Sequence, residues 1–404
     1  MAPNDIYNNK KKYEGLISKI DKITEKPRIG IYYCKNKDNV KYFHKVIKSF
    51  EVDDLSWIRR LRLLAILKIL THVVECDLKD INGMEKEDVI IKIRGICKTN
   101  TQLKKYEGDI KAIGKKIFSE DEIPKFFREF HMKIDKSREK ARDRLEFDEF
   151  DKIIKFFAED IVMQAYLSLS FESLGRPQEI LYTKIRDLEL NDNYAYLNVS
   201  EHGKEGVKKL LSIDSFPYLI RMYNCHAKKR DPNAFLFFNK YGGQLKPKII
   251  NVKIKKACRE LSVDKHLTCY SLKRAGITYR RLIGESDVTI QHLAGWTSTK
   301  QLKIYDQSTQ QDTFKLQLIK KGLIKEDKDI VSSSKTKICI HCNEILGFAE
   351  SICPKCNHIL DRDLIKDKID KDEDVIEFLK QIKYLKENNP DIFNLIKNGE
   401  MKKH

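Results

Sequence analysis

The chain runs to 404 residues, room for two or three domains at roughly 100 to 200 residues each, so a single core is not expected. Its 78 lysines and arginines against 60 aspartates and glutamates leave a net charge of +18, the balance of a protein that seeks polyanions, with nucleic acid as the leading partner. No apolar run approaches the ~20 residues that span a bilayer, and the first residues, MAPNDIYNNKKKYEG, lack the apolar core of a signal peptide; an intracellular protein of the cytoplasm or nucleoid, with no membrane partner, is expected.

Residues 1–140 read as a basic helical bundle. The stretch 56–76 places Ile58, Leu61, Leu64, Ile66, Leu67 and Leu70 on a broad apolar side, with Arg59, Arg60 and Lys68 elsewhere. Residues 99–118 repeat that style with lysines outward. Residues 123–143 then run from an apolar stretch into dense charge, which puts a domain junction near 135–145.

A second domain is expected over 145–322. Residues 147–157 and 161–174 suit two helices, the second ending at Gly175 in a left-handed turn. Pro177 fits the first position of the next helix, so Arg176 sits on the turn before it and Glu179 follows one turn on, able to hold the guanidinium. That geometry offers an arginine to phosphate, although R-x-x-E alone is a weak signal. The period then changes: 194–200 alternates and 208–213 pairs with it, with His202-Gly-Lys-Glu-Gly206 as the turn and Lys204 at its tip. A mobile ammonium there can reach a neighbouring site and protonate a leaving oxygen. Further on, Leu272-Lys-Arg274 opens a helix closed by Gly284, a short helix covers 288–293, and after Gly295-Trp296 a last helix from Ser298 carries Tyr305. Metal-free transfer of a DNA strand needs a nucleophilic hydroxyl, cations around the pentacoordinate phosphate and an acid for the leaving 5′-oxygen. Residues of each kind are present.

Residues 323–337 are rich in serine and charge and read as a linker. Of ten cysteines, six are scattered as reduced thiols, while Cys339, Cys342, Cys353 and Cys356 form two C-x2-C knuckles ten residues apart. Such knuckles close a tetrahedral four-thiolate shell with no open position, so residues 338–360 are read as a separate zinc ribbon holding a structural Zn2+. His341 and His358 lie beside the knuckles. In the tail, 361–404, apolar residues at Val375, Ile376, Phe378, Leu379, Ile382 and Leu385 recur at helical spacing over 374–397 and are expected to pack on the ribbon or on a partner.

Arg176 with Glu179, Lys204 in a G-K-x-G hairpin, Arg274, and Ala294-Gly-Trp-Thr297 with Tyr305 nine residues after the tryptophan resemble the signature of the tyrosine recombinase and phage-type integrase family, in the form with tryptophan where most members carry histidine. The resemblance covers residues 147–320 and implies a mainly helical catalytic domain with a small antiparallel sheet, preceded by a core-binding (SAM-like) DNA-binding bundle, the two closing on double-stranded DNA at a specific recombination site. It further implies that Tyr305 forms a 3′-phosphotyrosyl intermediate, that Arg176 and Arg274 hold the non-bridging oxygens, that Trp296 donates from its indole nitrogen and Lys204 is the general acid, and that catalysis needs no cofactor. Self-assembly to a tetramer on paired sites is implied too, with a helix exchanged between protomers that residues after Tyr305 can supply. One position departs: the family places His or Lys three residues before its second arginine, and Ser271 stands there, able to donate a hydrogen bond but not to act as a base near neutral pH. His266 and His292 are nearby substitutes supported by proximity alone. The expected activity is DNA integration or excision of a mobile element; a catalytically weakened DNA-binding protein of the same fold, chromosome dimer resolution, a type IB topoisomerase and a zinc-ribbon transcription factor are the rivals.

Overall fold

The computed structural model describes residues 7–27, 30–130, 143–199, 207–324, 336–360, 373–388 and 390. The helices up to Arg128 form one compact unit and the elements from Phe147 onward a second.

In the first unit, α1 (Asn9–Ile17), α2 (Val40–Val52), α3 (Trp57–Val73), α4 (Lys86–Ile96), α5 (Asn100–Ile117) and α6 (Lys125–Arg128) enclose a core built on Phe43, Phe50, Leu63, Leu67 and Phe127. The expected orientation of α3 is corrected at its start. Ile58 is 61% exposed and Arg60 only 6%. Arg60 tolerates burial because its guanidinium lies over the Trp57 ring, donates to the Leu55 carbonyl and pairs with Glu51 at 3.1 Å, so stem and head are both satisfied. Across the bundle, Arg59 and Arg62 of α3 meet the buried carboxylate of Asp109 on α5.

The second unit is organised around α8 (Ile161–Glu172), a helix buried on nearly every side, as an element apolar all round must be. Against it pack α7 (Phe147–Phe156), α10 (Phe216–Asn224) and α12 (Cys269–Leu282). The left-handed residue after α8 is Leu174 (φ 55°), not Gly175. Gly175 is needed for space instead, since a Cβ there would lie 2.9 Å from both Ile180 and Leu210. The short helix α9 (Pro177–Leu181) follows, then an antiparallel sheet in the order β1 (Leu188–Leu190), β2 (Ala195–Val199), β3 (Lys208–Ser212). Both expected strands are present, with Val199 opposite Lys208; the three-residue edge strand β1 is too short to show an alternation of its own. The chain continues through α11 (Pro247–Glu260), α12, α13 (Asp287–Ala294), α14 (Leu302–Tyr305) and α15 (Gln310–Lys320). The unit is thus mainly helical with a small antiparallel sheet.

The ribbon contributes β4 (Lys337–Ile338) and β5 (Ile345–Leu346) and, contrary to the separate module expected, is seated in this core. Phe348 is 5% exposed and meets the rings of Phe147, Phe150 and Tyr218, each at 5.8 Å between centroids. The Ala349 N–H donates to the Tyr218 hydroxyl at 2.9 Å, Arg221 pairs with Glu350, and the Tyr218 ring fills the space a Cβ on Gly347 would need. A helix, α16 (Glu373–Asn388), carries part of the expected tail stripe with Phe378 and Tyr384 largely exposed; residues 391–397 of that stripe lie outside the described residues.

Candidate active site

The site begins at α9. Arg176 caps the helix, its N–H donating to Glu179 Oε2 at 2.7 Å and its guanidinium to Glu179 Oε1 at 3.1 Å, with both residues buried. From β3 the Lys208 ammonium reaches the same carboxylate at 2.8 Å and the Ala294 carbonyl at 3.0 Å. Burial alone would raise the Glu179 pKa, but Lys208, the Arg176 N–H and Lys273 outweigh it and hold the carboxyl below its ordinary range.

The turn after α13 delivers the tryptophan. Gly295 adopts φ 67°, and a Cβ there would lie 2.5 Å from the Lys208 side chain, so the position demands glycine on both counts. Trp296 follows, 4% exposed, tied back by its N–H to the Gln291 carbonyl at 2.9 Å. Its indole stacks on Tyr305 with centroids 5.2 Å apart and planes 29° apart. The indole Nε1 is buried and has no hydrogen-bond partner among the described residues. Tyr305, half-buried at the end of α14, belongs to a small cluster with Leu174, Ile277, Ile290, Ala294 and Leu302. The chain beyond it is pinned where the Gln307 N–H meets Thr278 Oγ1 of α12 at 3.0 Å and Arg281 meets Asp306 at 3.5 Å.

From α12 comes Lys273, 0% exposed, with its ammonium 5.1 Å from the Trp296 ring centroid and 5.4 Å from that of Tyr305. Arg176 thus meets Glu179 and Trp296 meets Tyr305, and two lysines that the motif reading did not single out, Lys208 and Lys273, join these pairs. Both had a signal. Lys208 alternates in phase with Leu210 and Ser212 on the inward side of β3, and Lys273 lies one helical turn before Ile277 of the Tyr305 cluster. Ser271 serves the helix start: its hydroxyl accepts the Thr268 N–H at 3.0 Å, and its own N–H donates to the Thr268 side chain. Arg274 is half-buried and makes no hydrogen bond or ion pair with another described residue. His266 and His292 are exposed, and Lys204 lies outside the described residues.

The four ribbon cysteines offer sulfurs that all lie within 4.8 Å of one another, with Cys339–Cys356 at 3.5 Å and Cys342–Cys353 at 3.6 Å. A tetrahedron with Zn–S of about 2.3 Å requires sulfur–sulfur edges of about 3.8 Å; the cluster fits zinc. The two knuckles repeat one backbone pattern. Asn343 and Asn357 both take left-handed φ, donating to Cys339 and Cys353 carbonyls, while the N–H groups of Cys339 and Cys353 meet the carbonyls of Glu344 and His358. Desolvation opposes ionisation at Cys339, yet backbone N–H groups of Cys342 and His341 bring its thiol down to about 7. At Cys356 the His358 N–H favours the thiolate, but desolvation and the three neighbouring sulfurs push that thiol up to about 12. Four thiolates at this spacing need a cation among them.

The second unit is thus a helical domain with a small sheet that brings Arg176 and Lys208 onto the Glu179 carboxylate and stacks Trp296 on Tyr305. Residues 143–312 match the phage integrase family. Among solved structures the chain resembles a lambda integrase dimer bound to a COC′ core site, at 16% identity over 73% of this chain and 85% of that one, with a TM-score of 0.54. It also resembles the Tn1549 transposon integrase in complex with transposon right end DNA, at 13% identity over 68% of this chain and 98% of that one, with a TM-score of 0.55. At such identities the likeness is one of fold. No curated protein matches the sequence. Among the described residues, no helix is long and apolar enough to cross a membrane.

Proposed function

We propose that the protein is a site-specific recombinase that cleaves and rejoins double-stranded DNA, with Tyr305 as nucleophile, in the integration or excision of a mobile element. The observation that carries the reading is the placement of Tyr305 against Trp296 and Lys273, beside the Arg176–Glu179–Lys208 node. The Tyr305 oxygen forms a bond to the scissile phosphorus as the bond to the 5′-oxygen breaks. The phenolic proton is lost to solvent and the leaving oxygen takes a proton from a general acid, a role assigned to Lys204. Arg176 and a second cation from the start of α12, where the family signature points to Arg274, neutralise the non-bridging oxygens, and the Trp296 Nε1 donates to one of them. The phosphotyrosyl link conserves the bond energy, so rejoining needs no fuel.

Zinc, when bound by Cys339, Cys342, Cys353 and Cys356, supplies structure: it ties both knuckles together and so holds β5 and Phe348 in the catalytic core. Assembly to a tetramer on paired sites is supported by α15, which leaves Phe314 56% and Leu318 41% exposed just beyond the nucleophile. Lambda integrase also has a solved tetramer bound to a Holliday junction, similar to this chain with a TM-score of 0.52. The reading is tested on a supercoiled plasmid carrying two copies of a duplex selected for binding from a random-sequence pool. Deletion or inversion products support it. Relaxed topoisomers alone indicate a topoisomerase, and tight binding with unchanged DNA indicates a weakened enzyme that uses the fold only to bind.

A further inference from the structure

We infer that Leu174 is a positioning residue for strand transfer, whose left-handed turn and buried side chain hold Arg176 and the Trp296–Tyr305 stack in one frame; the inference rests on the strand-transfer reading above and makes it specific.

Leucine is a poor residue for this backbone. Its φ of 55° lies in the left-handed region, where a side chain is disfavoured by about 5- to 30-fold. Glycine stands next door and would take the turn without that cost. The register is nevertheless fixed. Any other residue brought into the wedge at Gly175 would clash, since a Cβ there would lie 2.9 Å from both Ile180 and Leu210. The Ser173 hydroxyl also accepts the Gly175 N–H at 3.3 Å, and the Arg176–Glu179 cap starts α9 at once. A strained residue persists only where its surroundings over-determine it, and such residues gather at functional sites.

The side chain serves the other half of the site. Leu174 is 0% exposed and belongs to the cluster of Ile277, Ile290, Ala294, Trp296 and Leu302 against which Tyr305 packs. Among the described residues, every other member of that cluster follows Gly276 in the chain, and Leu174 alone comes from the Arg176 side. Gly276 lets the two sides meet. A Cβ there would fall on the Phe171 carbonyl oxygen and lie 2.8 Å from Leu174 Cδ2, so glycine allows α12 to press directly on the end of α8. One residue thus has its backbone in the turn that presents the arginine and its side chain in the nucleophile's cluster.

Strand transfer needs the Tyr305 oxygen in line with the leaving 5′-oxygen while the Arg176 guanidinium meets the non-bridging oxygens. A misplacement of about 1 Å between such groups costs on the order of 100-fold in rate. Leu174 touches neither the phosphate nor the reacting atoms; it sets the spacing of the groups that do. Glycine at this position would relieve the backbone and leave the cluster without its link to α9, which is why a leucine is kept in a conformation that suits it badly.

The test is the single-turnover rate of adduct formation by the full chain on a nicked, binding-selected duplex, measured well below the melting temperature of every variant. Beside it, the emission of Trp296 is read in a Trp57→Phe chain, which retains one of the two tryptophans. Leu174→Ala should lose about 100-fold in rate with DNA affinity unchanged, and the Trp296 emission should move to longer wavelength as water reaches the ring. Leu174→Gly should lose as much although its backbone is relieved, and Leu174→Met, which keeps the volume, should restore most of the rate and the emission. Leu236→Ala, a cavity in the main core where Leu236 is also 0% exposed, should lose comparable stability and keep the parental rate and emission. A parental rate in Leu174→Ala or Leu174→Gly would overturn the inference, as would an unshifted emission in Leu174→Ala or an equal loss of rate in Leu236→Ala. Should Leu174→Ala fail to fold, Leu174→Gly decides; failure of both where Leu236→Ala folds would make Leu174 a folding residue only and overturn the inference too. A parent chain that forms no adduct overturns the strand-transfer reading itself, and the inference with it.

Discussion

Glu179 shows how much one side chain can hold together. It caps α9, fixes the Arg176 guanidinium and accepts the Lys208 ammonium, all while buried. Removing one partner of a buried charge cluster leaves the rest uncompensated, so Glu179→Gln should destabilise the catalytic unit by about 3 kcal/mol near neutral pH. Because the folded carboxyl is held below its unfolded value, its stabilisation is complete above about pH 4.3 and is lost as pH falls through the lower folded value. The stability gap between parent and variant, measured by thermal melts, should shrink below pH 4.3; a gap that widens there contradicts the assignment. At this scale the sequence was legible where residue type is distinctive: the singled-out residues pair in space, Arg176 with Glu179 and Trp296 with Tyr305. It was least legible for lysine. In a chain with 78 basic residues a lysine reads as solvated charge, and only its phase on β3 or α12 marks Lys208 and Lys273 as inward. Ser271, singled out at the departure from the family pattern, closes the capping box with Thr268 at the start of α12, a local bond that serine readily makes.

Among the elements, the ribbon departs furthest from expectation. Knuckle spacing is set by coordination geometry and was plain in the sequence. Docking depends on one phenylalanine in a short loop, Gly347-Phe348-Ala349, and a loop of that kind carries no periodicity to announce it. Since the same loop is braced by β5 and both knuckles, chelation of the metal should lower the melting temperature of the whole catalytic unit, not of the ribbon alone. An unchanged melting curve after metal removal, verified by elemental analysis, would show that the ribbon is dispensable to the core. The end of α8 teaches a related lesson: Leu174 takes the left-handed turn because Gly175 is required next door, where Ile180 and Leu210 leave no room.

For the whole molecule, the proposed DNA binding combined with a net charge of +18 makes phosphate neutralisation the expected main source of affinity. If six or more contacts form, affinity should fall about 1,000-fold or more between 50 and 200 mM salt; a flat response would contradict a basic DNA-binding protein. Tetramer formation makes a separate prediction at α15. Phe314→Ser should leave binding to one site intact while weakening the pairing of two sites, read by gel shift on single and tandem duplexes, and loss of both together would assign Phe314 to folding instead. The mainly helical class with a small sheet was legible from the change of hydrophobic period near residue 194, since strands and helices differ there by a factor of nearly two. A truncation meant to remove only the tail must stop after Leu360, because one that starts at Ile338 also strips Phe348 from the core.

The most direct measurement of the central claim uses the full chain and its Tyr305→Phe variant on a nicked duplex chosen by binding from a random pool, resolved on a denaturing gel with mass mapping of the adduct. A 3′-phosphotyrosyl link at Tyr305 is expected, absent from the phenylalanine variant while DNA affinity is retained. Tight binding by the parent chain with no adduct at any position of the duplex, or an adduct that persists in Tyr305→Phe, would contradict it.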